Sequence, residues 1–158
     1  MEVKLDRIRC EKLKEKIMSS EEAAKLINDG DFVGTSGFTP AGYPKAVPMA
    51  LAKRADKGEK IQIDLMTGAS VGPELDGLLS ERGIIKRRYP YQTNSILRNA
   101  INNGNVKYND MHLSHSAQYL KYGFLGTMDA AIIEAVAITE DGGIVPSTSV
   151  GNSNIFVE

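Results

Sequence analysis

The 158 residues include 19 Lys+Arg against 20 Asp+Glu, for a formal net charge of −1, with 42% hydrophobic and 25% charged residues. That apolar content at so low a net charge excludes intrinsic disorder, and the near-neutral balance argues against a whole-domain basic surface for nucleic acid. The length suits one domain around one core, and no apolar run nears the roughly 20 residues of a membrane span.

Residues 1–18 are charged and loosely periodic (Leu5, Ile8, Leu13, Ile17), which predicts a solvated helix or arm. They contain no apolar stretch of the signal-peptide type, so the expectation is a soluble, cytoplasmic protein. Ser19 with Glu22 three residues on is a capping box, opening a short helix through Ala23, Leu26 and Ile27 that stops at Asn28-Asp29-Gly30. Asp31 to Gly37 reads as a first strand. Val47, Leu51 and Ala55 then share one helical face, with the regular helix placed after Pro48 and 44–47 as a kinked entry turn. Ile61, Ile63 and Leu65 alternate as a second strand, and Thr67 to Gly72 forms a loop. Pro73 begins a helix with Leu75, Leu78 and Leu79 on its apolar face. Ile84 to Tyr89 is a third strand. Helices follow around Ile96–Ile101, closed by Gly104, and around Ser116–Tyr122. Asp129 to Ile138 is the most apolar run, predicted as a strand buried on both faces, and turns at Thr139–Gly143 into Ile144-Val145 as a hairpin. Strands alternating with helices predict an α/β domain with a mainly parallel sheet and flanking helices. The text stops at Gly151–Glu158 as a helix is beginning, so the chain reads as a fragment.

Three junctions at strand ends are rich in small residues: Gly34–Gly42, Thr67–Gly72 and Ser147–Gly151. Ligands of open α/β sheets bind beyond the carboxyl ends of the strands, and loops of small residues let backbone N–H groups approach an anion, although glycine also simply marks turns. The phosphate motifs fail. Gly37 and Gly42 have P-loop spacing, but Tyr43-Pro44 stands where Lys-Ser/Thr is required, and no G-x-G exists for a dinucleotide.

Gly68-Ala69-Ser70-Val71-Gly72 is a literal G-x-S-x-G, which a serine hydrolase would use as a nucleophile elbow with Asp110 and His112 or His115 completing a triad. No oxyanion loop precedes it. Asp110, His112 and His115 could be half a metal site, but no further ligand cluster completes four-coordination, so no metal is expected. The lone Cys10, among Arg7, Arg9 and Lys12, has no adjacent histidine base and reads as incidental. Arg82 with Lys86-Arg87-Arg88 is expected as a solvated patch, the alternative being attraction of a polyanionic cofactor. Glu134 sits inside the apolar run, where burial would raise its pKa; it is either a functional carboxylate or a paired structural one.

Thr35-Ser36-Gly37-Phe38-Thr39 with Gly42-Tyr43-Pro44-Lys45, Thr67-Gly68-Ala69-Ser70 with Gly72-Pro73, Ile138–Pro146 and Ser149–Ser153 together resemble the acetyl-CoA hydrolase/transferase family, which includes succinyl-CoA:acetate CoA-transferases. Ser36-Gly37 replaces the double glycine of the related two-subunit oxoacid enzymes. The resemblance runs from about Ser19 to the end and implies a NagB/RpiA/CoA-transferase-like fold, with residues 1–158 as the N-terminal domain of a longer two-domain enzyme. It implies a coenzyme A thioester as substrate, with no covalently bound cofactor, and a small carboxylate as second substrate; an apolar seam facing the second domain is expected to make the chain a homodimer. It also implies chemistry through a glutamyl-CoA thioester, whose glutamate belongs to the second domain beyond Glu158, so no catalytic residue is assigned here. By the same resemblance Ser70 and Thr93 hydrogen-bond a substrate carboxylate, with Gly37, Phe38, Thr39 and Gly42 packed beside them. A serine hydrolase and a non-catalytic acyl-CoA-binding module are the competing expectations.

Overall fold

A computed structural model describes residues 5–70 and 72–158, without the side chains of Ser36 and Ser70. Five parallel strands form the main sheet: β1 (Phe32–Thr39), β2 (Ile63–Ser70), β3 (Ile85–Tyr89), β4 (Lys107–Tyr108) and β5 (Ala130–Ile133), in the order β4-β3-β2-β1-β5. An antiparallel hairpin follows, β6 (Ala135–Ile138) with β7 (Ile144–Pro146). The helices are α1 (Glu11–Lys14), α2 (Ser20–Ala24), α3 (Ala46–Asp56), α4 (Leu78–Glu81), α5 (Ser95–Asn102), α6 (Leu113–Lys121) and α7 (Ser153–Phe156). The expected α/β architecture, mainly parallel with flanking helices, is the one observed.

Alternation along the strands divides the apolar side chains between two clusters. Val33, Ile63, Leu65 and Ile85 join Ala24 of α2, Leu51 of α3, Leu79 of α4 and Leu97 of α5 in the larger core. Phe32, Met66 and Tyr89 pack with Leu120 of α6 and Phe156 of α7 in the smaller one. The capping box forms as predicted: the Ser19 hydroxyl accepts the Glu22 N–H at 3.1 Å, and the Glu22 carboxylate accepts the Ser19 N–H at 2.8 Å.

Several elements differ from the sequence reading, each for a physical reason. Helix α3 starts at Ala46 and includes Pro48 in its first turn, where no backbone N–H needs an intrahelical partner. Strand β2 runs on through Thr67–Ser70, because β1 pairs with it as far as Thr39↔Ser70. The run Asp129–Ile138 is not one doubly buried strand. It breaks at Glu134 into β5, which pairs only with β1 among the described residues, and the half-exposed β6. Two-residue β4 is too short to show an alternation in the sequence. Residues 1–4 of the expected arm lie outside the described residues. The rest is a short 3-10 turn at Leu5–Arg7, strapped to β6 by the Arg9 N–H donating to the Ile138 carbonyl at 3.0 Å, and then α1.

Candidate active site at the carboxyl ends of the strands

Strands β1 to β4 are laid down in one direction across the sheet, and β5 returns to the other side of β1. The order therefore reverses between β1 and β5, and the crevice at the carboxyl end of such a reversal is where open α/β sheets bind ligands. Parallel pairing brings the ends of β1, β2 and β3 to the same edge, with Phe38 opposite Ala69 and Thr39 opposite Ser70. The two glycine-bearing junctions predicted to meet do so. Thr93 leaves the same edge on the connection from β3 to α5, where it is exposed and its carbonyl accepts from Arg98 at 3.0 Å.

After β1 the chain folds into a tight turn. The Phe38 N–H donates to the Ala41 carbonyl at 2.9 Å, and the Ala41 N–H returns to the Phe38 carbonyl at 3.0 Å. Its first central residue, Thr39, has φ 51°, a left-handed conformation that is a genuine outlier for a β-branched residue and costs on the order of 1–3 kcal/mol. A Cβ on Gly37 would lie 2.7 Å from the backbone of Ala41 and Gly42, and Gly42 itself has φ 66°. Ser149, after β7, donates its hydroxyl to the Ala41 carbonyl at 2.8 Å. The turn is thus fixed from both ends, and it leaves the Phe38 ring 60% exposed.

Behind the turn runs a polar network of which the sequence singles out Glu134 alone. Buried Tyr43 lies against Gly72 and donates its hydroxyl to Glu74. Burial and then the Glu74 carboxylate raise the Tyr43 pKa, while that same hydrogen bond holds Glu74 below the usual carboxylate range. The Lys45 amine sits 4.2 Å from the Tyr43 ring centre, donates to the Tyr43 carbonyl at 2.8 Å and pairs with Glu134 at 2.9 Å. The Ser147 hydroxyl donates to the other Glu134 oxygen at 2.6 Å. Glu134 is therefore a paired carboxylate at the break between β5 and β6. Burial would raise its pKa, but the Ser147 hydroxyl and the Lys45 amine outweigh burial and lower it, which corrects the expected upward shift.

The basic patch is also corrected. Arg88 is fully buried and doubly bonded to equally buried Asp76, at 2.9 and 3.3 Å, and also donates to the Tyr89 carbonyl. Arg87 pairs with Asp64 at 3.6 Å and donates to the Tyr89 hydroxyl at 3.0 Å, and Arg82 pairs with Asp56 at 2.8 Å. Of the four, Lys86 alone is exposed. The Arg88–Asp76 pair ties β3 to the π turn at Pro73–Gly77 and so supports the loop carrying Thr93.

The candidates for a nucleophile elbow and triad lie on separate elements. Ser70 ends strand β2 in register with Thr39, while its side chain and all of Val71 lie outside the described residues. Asp110 and His112 follow β4, with β3 intervening, and His112 is occupied as the N-cap of α6, its Nδ1 2.8 Å from the Ser114 hydroxyl. Among the described residues no group of three or more His, Cys, Asp or Glu side chains could hold a metal ion, and no helix is long and apolar enough to cross a membrane. Cys10 is a free thiol at the start of α1.

Residues 2–158 match the acetyl-CoA hydrolase/transferase N-terminal domain. The chain is 54% identical over 153 residues to the succinyl-CoA:acetate CoA-transferase of Clostridium kluyveri, covering 96% of this chain and 28% of that protein. It is 43% identical over 160 residues to the acetyl-CoA hydrolase of Schizosaccharomyces pombe, covering 89% of this chain and 31% of that one. The chain thus spans less than a third of the length of these relatives. In structure it is similar to glutaconate coenzyme A-transferase from Acidaminococcus fermentans, with a TM-score of 0.52 and 25% identity, covering 71% of this chain and 36% of that one. On the family match and the parallel sheet together, the chain belongs to the acetyl-CoA hydrolase/transferase family, as its N-terminal domain.

Proposed function

We propose that this domain forms the carboxylate side of the cleft of an acyl-CoA:carboxylate CoA-transferase or acetyl-CoA hydrolase, a cytoplasmic homodimer that takes a coenzyme A thioester as substrate rather than as a bound cofactor. The observation that carries the reading is the meeting of Thr39 and Ser70 at one strand edge, beside the loop bearing Thr93, in a family whose members bear transferase and hydrolase names. Ser70 and Thr93 supply hydroxyl donors to a substrate carboxylate, and the Gly37–Gly42 turn packs beside them.

The nucleophilic glutamate lies outside these 158 residues. The acids near the strand ends support this division of labour: Glu74 and Glu134 are engaged by Tyr43 and by Lys45 with Ser147, while Glu140 is exposed and faces Arg9 at 3.6 Å. A nucleophile needs a site from which water is excluded, and an exposed turn offers none.

The test is made in the full-length enzyme. Each hydroxyl is worth about 1 kcal/mol or somewhat more toward a charged acceptor, so Ser70→Ala and Thr93→Val should each raise the carboxylate KM several-fold while acylation by acyl-CoA persists. The 158-residue chain alone should release no thiol from acetyl-CoA or succinyl-CoA. Complete loss of turnover in Ser70→Ala, with an acyl adduct mapped to Ser70 in the unmodified enzyme, would replace this reading with the serine hydrolase.

A further inference from the structure

The ladder between β1 and β2 ends at Thr39 and Ser70, and from there the two chains part toward different helices. One side chain spans the gap beyond that last pair. Tyr43, four residues past Thr39, is buried in the larger core with its ring against Gly72, where an added Cβ would overlap the ring and its hydroxyl. That hydroxyl donates to Glu74. The chain after Ser70 is thus held at Gly72 by the ring and at Glu74 by the hydroxyl. Tyr43 is itself fastened from the other side. The Lys45 amine lies 4.2 Å from the ring centre, donates to the Tyr43 carbonyl at 2.8 Å and pairs with Glu134 at 2.9 Å. Burial and then the Glu74 carboxylate raise the Tyr43 pKa, so its hydroxyl stays a donor across the neutral range.

We infer that Tyr43 is a positioning residue for the carboxylate site, fixing the end of β2 so that Ser70 meets its acceptor; this rests on the reading of Ser70 as a hydroxyl donor to the carboxylate. Tyr43 acts through the backbone, by setting where the chain after β2 runs, and touches no substrate itself. The end of a ladder frays where nothing beyond it holds the chains together. A hydrogen bond weakens steeply once its length or angle drifts, so a donor at a strand end needs support just outside it. Here that support is a buried ring with a hydrogen bond at its tip. Gly72 belongs to the same device, because only a residue without a side chain lets the ring close on the backbone.

The experiment measures the succinate KM and kcat for CoA transfer from acetyl-CoA by the full-length enzyme, with thermal unfolding of each variant. Tyr43→Phe keeps the ring against Gly72 and removes only the bond to Glu74, whose half-buried carboxylate turns to water instead, so the variant should fold. It should raise the succinate KM about threefold, within the worth of one hydrogen bond, and leave kcat within about twofold. Glu74→Leu should do the same, and Glu74→Gln, whose amide oxygen still accepts from Tyr43, should restore the original KM. Because Tyr43 acts through Ser70, Tyr43→Phe should add nothing to the KM of Ser70→Ala, yet multiply that of Thr93→Val. A purely structural Tyr43 would lower the unfolding temperature and leave the KM unmoved, which overturns the inference. So does an effect of Tyr43→Phe that persists in full on Ser70→Ala. If Ser70→Ala itself leaves the KM at the unmodified value, the carboxylate reading fails and takes this inference with it; if Ser70→Ala raises the KM and Tyr43→Phe does not, only the role of Tyr43 fails.

Discussion

Replacing Arg88 by methionine should destabilise the domain by about 3–5 kcal/mol, because it leaves the Asp76 carboxylate buried without its bidentate partner. Both side chains have 0% exposure, and the guanidinium closes two bonds to the carboxylate at 2.9 and 3.3 Å, so water cannot take its place without opening the structure. Against a total stability of about 5–15 kcal/mol, this is a large fraction. With a urea dependence of about 2 kcal/mol/M, the unfolding midpoint should fall by about 1.5–2.5 M, read by far-UV circular dichroism. The double variant Arg88→Met/Asp76→Leu removes both charges and should recover most of the loss, since apolar replacements of a buried pair are often neutral or better. The damage should also be local: amides of residues 91–94, which follow β3 just after Arg88, should exchange faster with deuterium in the single variant. A midpoint shift below about 0.5 M for Arg88→Met, on the same urea dependence, would refute the argument that this pair fastens β3 to the segment after β2.

Gly37→Ala should cost about 1–3 kcal/mol and lower activity, because its Cβ would lie 2.7 Å from backbone atoms of a turn already fixed at both ends; thermal unfolding and CoA transfer by the full-length enzyme check it. Glu134→Gln should flatten the loss of stability in acid. The carboxyl of Glu134 is held low in the folded state, so it stabilises above the unfolded value of about 4.3 and loses that contribution as pH falls through the lower folded value. Urea titrations at pH 5 and pH 3 should therefore differ less for Glu134→Gln than for the unmodified chain, and an equal difference would count against the pairing with Lys45 and Ser147.

Local signals in the sequence determined local structure. The Ser19–Glu22 box, the alternation at Ile61–Leu65 and the Thr139–Gly143 turn each act within a few residues, and each forms, the strand starting at Ile63 rather than Ile61. The glycine-rich motifs likewise marked the strand-end junctions that meet at one edge, and they carried the family resemblance. The tertiary structure alone decided what lies across the sheet. The reversal of strand order between β1 and β5 depends on which strands bury each other's faces, and no periodicity encodes that. Glu134 and Lys45 are 89 residues apart in sequence, and their pairing needs β5 beside β1. Arg88 looks like surface charge in the run Lys86-Arg87-Arg88, and only the arrival of Asp76 from the segment after β2 makes its burial tolerable. The strain at Thr39 is invisible in Thr-Pro, because the local Phe38–Ala41 hydrogen bonds are joined by a contact from far along the chain. The turn is held there by Ser149, which the chain delivers 108 residues beyond the carbonyl it binds.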